Sequence, residues 1–123
     1  MSLISTILVT IVALEALGIM FLEMFGSPTK LAQAFSMPLT YTQLPNAQIA
    51  MKNQGLYNGF IGIGLLINRF IFPTNIHYYG SLLFVIFVVI AAVYGALSAK
   101  NPKIILMQGT PAILALLALL LFK

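Results

Sequence analysis

The stretch LISTILVTIVALEALGIMFLEMF, residues 3–25, decides the fold. At about 1.5 Å per residue it makes a helix about 35 Å long, enough to cross the roughly 30 Å hydrocarbon core of a bilayer. No Lys or Arg precedes it and Glu15 sits inside it, the wrong shape for a cleaved signal peptide with a basic leading region, so it is expected to remain as a helix. Of 123 residues, 61% are hydrophobic and only 7% charged, with a mean hydropathy of +1.06, whereas a soluble domain carries about 25% charged residues. Four apolar stretches of about 20 residues consume most of the length and leave no room for a catalytic domain outside the bilayer. The expectation is an all-α polytopic membrane protein: one membrane domain over residues 1–123, built as a four-transmembrane-helix bundle and resident in the cell (plasma or inner) membrane.

There is no Cys, and His77 is the single histidine, so disulfides and Cys/His metal sites are excluded and no cofactor is expected. The net charge of +4 arises from Lys30, Lys52, Arg69, Lys100, Lys103 and Lys123 against Glu15 and Glu23. These bases are too scattered for a nucleic-acid surface and read as topology signals.

The spans are expected at about 3–25, 48–72, 76–99 and 104–122. Gly26-Ser27-Pro28 stops the first with a breaker, an N-cap and a first-turn proline. In the first connection, about 26–47, residues 28–37 place Leu31, Ala34 and Phe35 on one helical face, which predicts a short interfacial helix. The second span is unusually polar in its first half and ends at Pro73. The third closes in a Lys100-Asn101-Pro102-Lys103 hairpin, and the fourth carries Gln108 and Pro111 ahead of a plain Leu/Ala run. Pro111 frees the carbonyl of Met107, the broken-helix acceptor of some transporters, although a simple kink is commoner. Lys30, Lys52, Lys100 and Lys103 fall on the side of the long connection against Arg69 and Lys123 on the other, which places both termini outside the cell.

Following the direction of each span brings the polar residues to one level. Glu23, Asn53, Gln54, Tyr57, Asn58, Tyr94, Ser98 and Gln108 all fall in the half of the bilayer next to the long connection. The other half holds only Asn68, Arg69, His77, Tyr78 and Tyr79 at span ends, where snorkelling and aromatic-belt positions belong, and His77 reads as a solvated interfacial residue.

Glu15 is the costliest residue, since an acid at the bilayer centre is penalised by about 2.5 to 3.5 kcal/mol. Hydrocarbon tolerates the neutral acid, the form that a proton carrier or a general acid exploits. Glu15 and Glu23 share one helical face about 12 Å apart along the axis, a ladder rather than a dyad, so direct carboxylate pairing of the glycosidase kind is disfavoured. The bland reading of either acid is one hydrogen bond to a neighbouring helix. Gly55, Gly59 and Gly62 form a smooth strip for close helix packing, flanked by Gln54 and Asn58, whose amides suit interhelical bonding and ligand contact equally. Tyr57 and Tyr94 fit the belt as well as the lining. The candidate ligand- or proton-binding set is Glu15, Glu23, Lys52, Asn53, Gln54, Tyr57, Asn58, Tyr94 and Gln108, with no catalytic residue assigned.

The runs Leu22-Glu23-Met24-Phe25, Asn53-Gln54-Gly55-Leu56-Tyr57-Asn58-Gly59-Phe60 and Gln108-Gly109-Thr110-Pro111-Ala112 together resemble an uncharacterised family of small bacterial four-span membrane proteins, classed as a domain of unknown function. The resemblance covers nearly the whole chain, and the octapeptide is its most specific part. It implies the fold and supplies no activity, in a family built around Glu15, Glu23, Gln54, Tyr57, Asn58 and Gln108. The family pattern often has a histidine after the first glutamate, where this chain has Ala16, so a metal or relay role for that histidine does not carry over.

Three functions compete. A carrier of a small polar or cationic solute, proton-coupled through Glu15, uses the polar half as a vestibule beneath the first connection. It is similar in outline to small multidrug exporters, by analogy of fold alone. A non-catalytic binding or assembly subunit docks a partner, or a second copy in a homo-oligomer, through Gly55, Gly59 and Gly62, but leaves Glu15 without a purpose. An enzyme acting on a lipid-like substrate lacks any nucleophile and base at recognisable spacing. Membrane lipid is a partner under every reading.

Overall fold

A computed structural model describes residues 1–100, 103 and 105–123. The architecture is all-helical, with no strand among the described residues. Helix α1 runs Leu3–Phe25, opened by Ser2, whose hydroxyl oxygen accepts from the Ser5 N–H at 3.1 Å. Helix α2 is Pro28–Phe35, with Ser27 as its cap and Pro28 in its first turn, and it ends at Ser36 in the left-handed region, φ 53°. Pro38 then starts the short α3, Leu39–Thr42. The short helix expected over residues 28–37 is α2, which stops two residues early, and a second short helix follows Pro38, which cannot continue the first. Helix α4 spans Pro45–Phe70. It begins three residues ahead of expectation, since Pro45 sits where its missing N–H is an orphan anyway.

Helix α5 is Thr74–Ala99, closed by Lys100 at φ 52°. The expected Asn101-Pro102 turn and position 104, where the fourth span was expected to begin, lie outside the described residues. A π-helical segment, Ile105–Gly109, leads directly into α6, Thr110–Phe122. Pro111 has no N–H for the carbonyl four residues earlier, and the wider π register stands immediately before it. Two helices, Leu3–Phe25 and Thr74–Ala99, are long and apolar enough to cross a membrane, while Leu106–Phe122 is a shorter apolar helix. Helix α4 is equally long, but its first half is polar.

The helices close a ring in which α1 and α5 each pack on both α4 and α6, with α1 against α4 the most extensive contact. Small side chains fill the centre: Val9, Val12, Ala13, Val85, Ala112 and Ala115 join Leu65 and Leu119. The Leu/Ala run of α6 divides the same way, with Ala112, Ala115 and Ala118 inside and Leu114, Leu117 and Leu121 outside. Small residues inward let backbones approach closely, which matters where apolar surface outside the bundle carries no penalty.

Gly55, Gly59 and Gly62 are buried against α1. A Cβ on Gly62 would stand 2.7 Å from the Ala13 carbonyl oxygen and 2.9 Å from Leu17 Cγ, and one on Gly59 would strike Met20 Sδ. The strip expected to dock a partner copy is therefore occupied within the chain.

At the end holding both termini, hydrogen bonds join every neighbouring pair around the ring. The Ser2 N–H donates to the Lys123 carbonyl at 2.5 Å. Arg69 Nε reaches Thr6 Oγ1 at 3.1 Å. Asn68 Nδ2 donates to Ser81 Oγ at 3.2 Å and to the His77 carbonyl at 3.0 Å, and the Tyr78 hydroxyl donates to the Leu119 carbonyl at 3.0 Å. His77 is buried, only 8% exposed, and not a solvated interfacial residue. Its ring Nε2 meets the Phe72 carbonyl at 2.7 Å, supplying a partner just beyond the end of α4, where helix carbonyls lack one. Gly80 presses on the Asn68 amide so closely that a Cβ there would overlap it. Asn68→Leu, which removes one donor shared by two buried acceptors, is expected to cost about 1–3 kcal/mol in unfolding measured in mixed micelles.

Candidate functional site

The glycine strip determines where the polar groups meet. Gly55 lets α1 come so near that its absent Cβ would lie 3.0 Å from Glu23 Cβ and 2.9 Å from Met24 Cγ. Gln54 and Asn58, one turn apart on α4, flank this contact. Gln54 Nε2 donates to one Glu23 oxygen at 2.7 Å and Asn58 Nδ2 to the other at 2.5 Å. Glu23 is only 2% exposed. Both of its oxygens act as acceptors, the bonding pattern of a carboxylate, and each amide keeps its carbonyl oxygen for another partner.

Beside this knot lies a cavity of about 640 Å³. Gln54 and Asn58 of α4, the small residues Ala91, Gly95 and Ala99 of α5, Lys100, and Gln108 of the π segment line it, and residues 35–38 between α2 and α3 cover it. The cover is tied down by Thr42 Oγ1, which donates to the Pro28 carbonyl at 2.8 Å, and by Lys103 Nζ on the Gln33 carbonyl at 3.4 Å. Glu15 is half-buried in a neighbouring pocket of about 20 Å³, with Val12, Ala16, Ile19, Ile61 and Val88 around it. That is room for about one water. Asn58 and Gln108 line this pocket too, so the same two amides border both the large cavity and the acid.

The sequence-predicted residues divide accordingly. Glu15, Glu23, Gln54, Asn58 and Gln108 come together, contributed by α1, α4 and the π segment. Lys52 is exposed and lines a third cavity with Glu23. Tyr57 and Tyr94 turn outward, 68% and 72% exposed, and Asn53 is exposed as well. Tyr57 is next to Asn58, and adjacent helical residues point about 100° apart, so only one of the two can face the seam. Tyr57 instead sets its ring edgewise to Phe60, with centroids 6.3 Å apart, within the roughly 4.5–7 Å of favourable aromatic pairs. Sequence reasoning passed over Ser36 and Lys100 as lining residues. Lys100 had a signal, its place at the end of α5 on the level of the other polar groups. Among the described residues, no three His, Cys, Asp or Glu side chains gather as metal ligands would.

A family profile described as "Protein of unknown function (DUF1304)" matches residues 10–120. The chain is similar to the Uncharacterized protein YpaA of Lactococcus lactis subsp. lactis (strain IL1403), 40% identical over 119 residues that make up 96% of this chain and 98% of that protein. No solved structure matches. The match takes in all the residues of the carboxyl–amide knot and the Glu15 pocket, and on this evidence the chain belongs to the DUF1304 family.

Proposed function

We propose that the chain crosses the cell membrane four times as a single domain and carries a small polar or cationic solute, or a proton, with Glu15 as the binding group. The observation that carries this reading is the shared lining: Asn58 and Gln108 border both the covered cavity and the Glu15 pocket, which gives a polar route from one to the other. Glu23 takes part by holding the Asn58 and Gln54 amides at the edge of that route. Glu15 sits in a pocket with room for about one water, so little water competes there with a proton or a cation, and the amides replace part of a ligand's hydration.

Four crossings are supported by the outer surface. Helix α4 buries Asn68, half-buries Asn58 and turns Leu56, Phe60, Ile63 and Phe70 outward. Helix α1 exposes Ile4, Ile7, Ile11 and Leu14, and α5 exposes Leu83, Phe87 and Ile90. An apolar exterior on this scale suits acyl chains, not water.

Protein reconstituted into vesicles tests the reading. It is expected to dissipate an imposed proton or small organic-cation gradient, and Gly95→Phe, which fills the large cavity, is expected to remove most of that flux. Decay no faster than in protein-free vesicles would end the carrier reading.

A further inference from the structure

The third cavity, about 310 Å³, lies on the other edge of the α1–α4 seam, between the end of α1, α2 and α4. Its lining differs in kind from that of the large cavity, because it holds one charge of each sign. Glu23, buried at 2% exposure, lines it, and so does the exposed Lys52, with Gln48 one turn away on the same helix. Gln54 and Asn58 bond Glu23 from the side of the large cavity, one to each oxygen. A carboxylate oxygen accepts at two positions, so each keeps one for a donor arriving from the third cavity. Gln48 turns its amide nitrogen back to the Thr42 and Gln43 carbonyls, both at 3.4 Å, and keeps its carbonyl oxygen as a further acceptor.

The charge pattern selects the ligand. A simple cation on Glu23 would have the Lys52 ammonium in the same cavity, and a simple anion on Lys52 would have the Glu23 carboxylate, each a like-charge cost. A dipolar ion meets both. We propose that this cavity binds a primary ammonium joined by a short linker to a phosphate or carboxylate, the ammonium on Glu23 and the anion toward Lys52. The ammonium must carry N–H groups, because what remains open on Glu23 and Gln48 is acceptor capacity alone. This chemistry is found in the headgroup of phosphatidylethanolamine and in soluble phosphoethanolamine. The site is separate from the Glu15 pocket and does not depend on the carrier reading.

Native mass spectrometry of the purified protein in detergent, with phosphatidylethanolamine, phosphatidylcholine and phosphatidylglycerol of identical acyl chains, tests it. Higher occupancy by the ethanolamine lipid than by either other lipid is expected, since choline has no N–H and glycerol no cation. Lys52→Ala, at an exposed position where folding is undisturbed, should bring that occupancy down to the choline level, and Glu23→Gln should do the same where it folds. Glu15→Gln should leave it unchanged. Displacement of the lipid by added phosphoethanolamine identifies a soluble ligand, and binding of the lipid without displacement identifies the bilayer headgroup; either supports the site. Equal occupancy by the three lipids, a preference for phosphatidylglycerol, or an ethanolamine preference that survives Lys52→Ala would overturn it.

Discussion

Vesicles holding the Glu15→Gln variant are expected to lose a proton or cation gradient no faster than protein-free vesicles, while the variant folds and unfolds as the native protein does. The substitution keeps the size of the side chain and its ability to hydrogen-bond, and it removes only the group that binds and releases a proton. Glu15 lies outside the apolar core, half-buried in a small pocket, while the core residues Val12 and Ala13 lie on the same turn of α1. A structural role would give the opposite pattern, with flux and stability falling together. Flux equal to that of the native protein would remove Glu15 from the mechanism.

The second large effect is expected at Gly62. Its missing Cβ faces a backbone carbonyl, that of Ala13, at 2.7 Å, and backbone cannot turn aside as a side chain can. Overpacking in a forgiving core costs about 1–3 kcal/mol. Gly62→Leu places a whole side chain where one carbon does not fit, and the contact it opens is the most extensive in the bundle. The expected result is loss of the folded state in mild detergent, because total stabilities are only about 5–15 kcal/mol. Gly18 supplies the contrast. Nothing stands within 4 Å of a Cβ there. Gly18→Ala removes a flexible residue from mid-helix and should stabilise by about 0.5–1 kcal/mol. Both shifts can be read from unfolding in mixed micelles, and equal effects at the two glycines would contradict the packing described for α1 and α4.

The meeting of Glu23 with Gln54 and Asn58 was legible in the sequence, because chain direction alone fixes the depth of a residue in a bundle of alternating helices. Rotation about the helix axis was not legible to the same degree. When leucines and valines cover every face of a helix, hydrophobic pattern does not say which face turns inward, and Tyr57 and Tyr94 at the right depth face outward. Residue size was the better guide, as α6 shows: Ala112, Ala115 and Ala118 lie inside, while of its leucines Leu119 lies in the core and Leu114, Leu117, Leu120 and Leu121 lie outside. The glycine strip announced a close helix contact without naming the partner, since α1 of the same chain and a helix of a second copy place the same demand on it. His77 escaped because its burial depends on the path of three residues, 71–73, whose Phe72 carbonyl it meets. Asn68 with Ser81 was unreadable for a related reason, as a pair 13 positions apart is set by how that turn aligns α4 on α5.

The distance between the Glu23 side-chain carboxyl carbon and the Asn58 side-chain amide nitrogen, measured by solid-state NMR on selectively labelled protein in lipid bilayers, tests the polar knot most directly. With a hydrogen bond of 2.5 Å between the Glu23 oxygen and that nitrogen, a carbon–nitrogen separation of about 3.3 Å is expected for the usual angle of about 120° at the acceptor oxygen. A separation too long for the dipolar coupling to register would mean that the two helices do not bring these groups together in a bilayer, and the route to Glu15 past Asn58 would go with it.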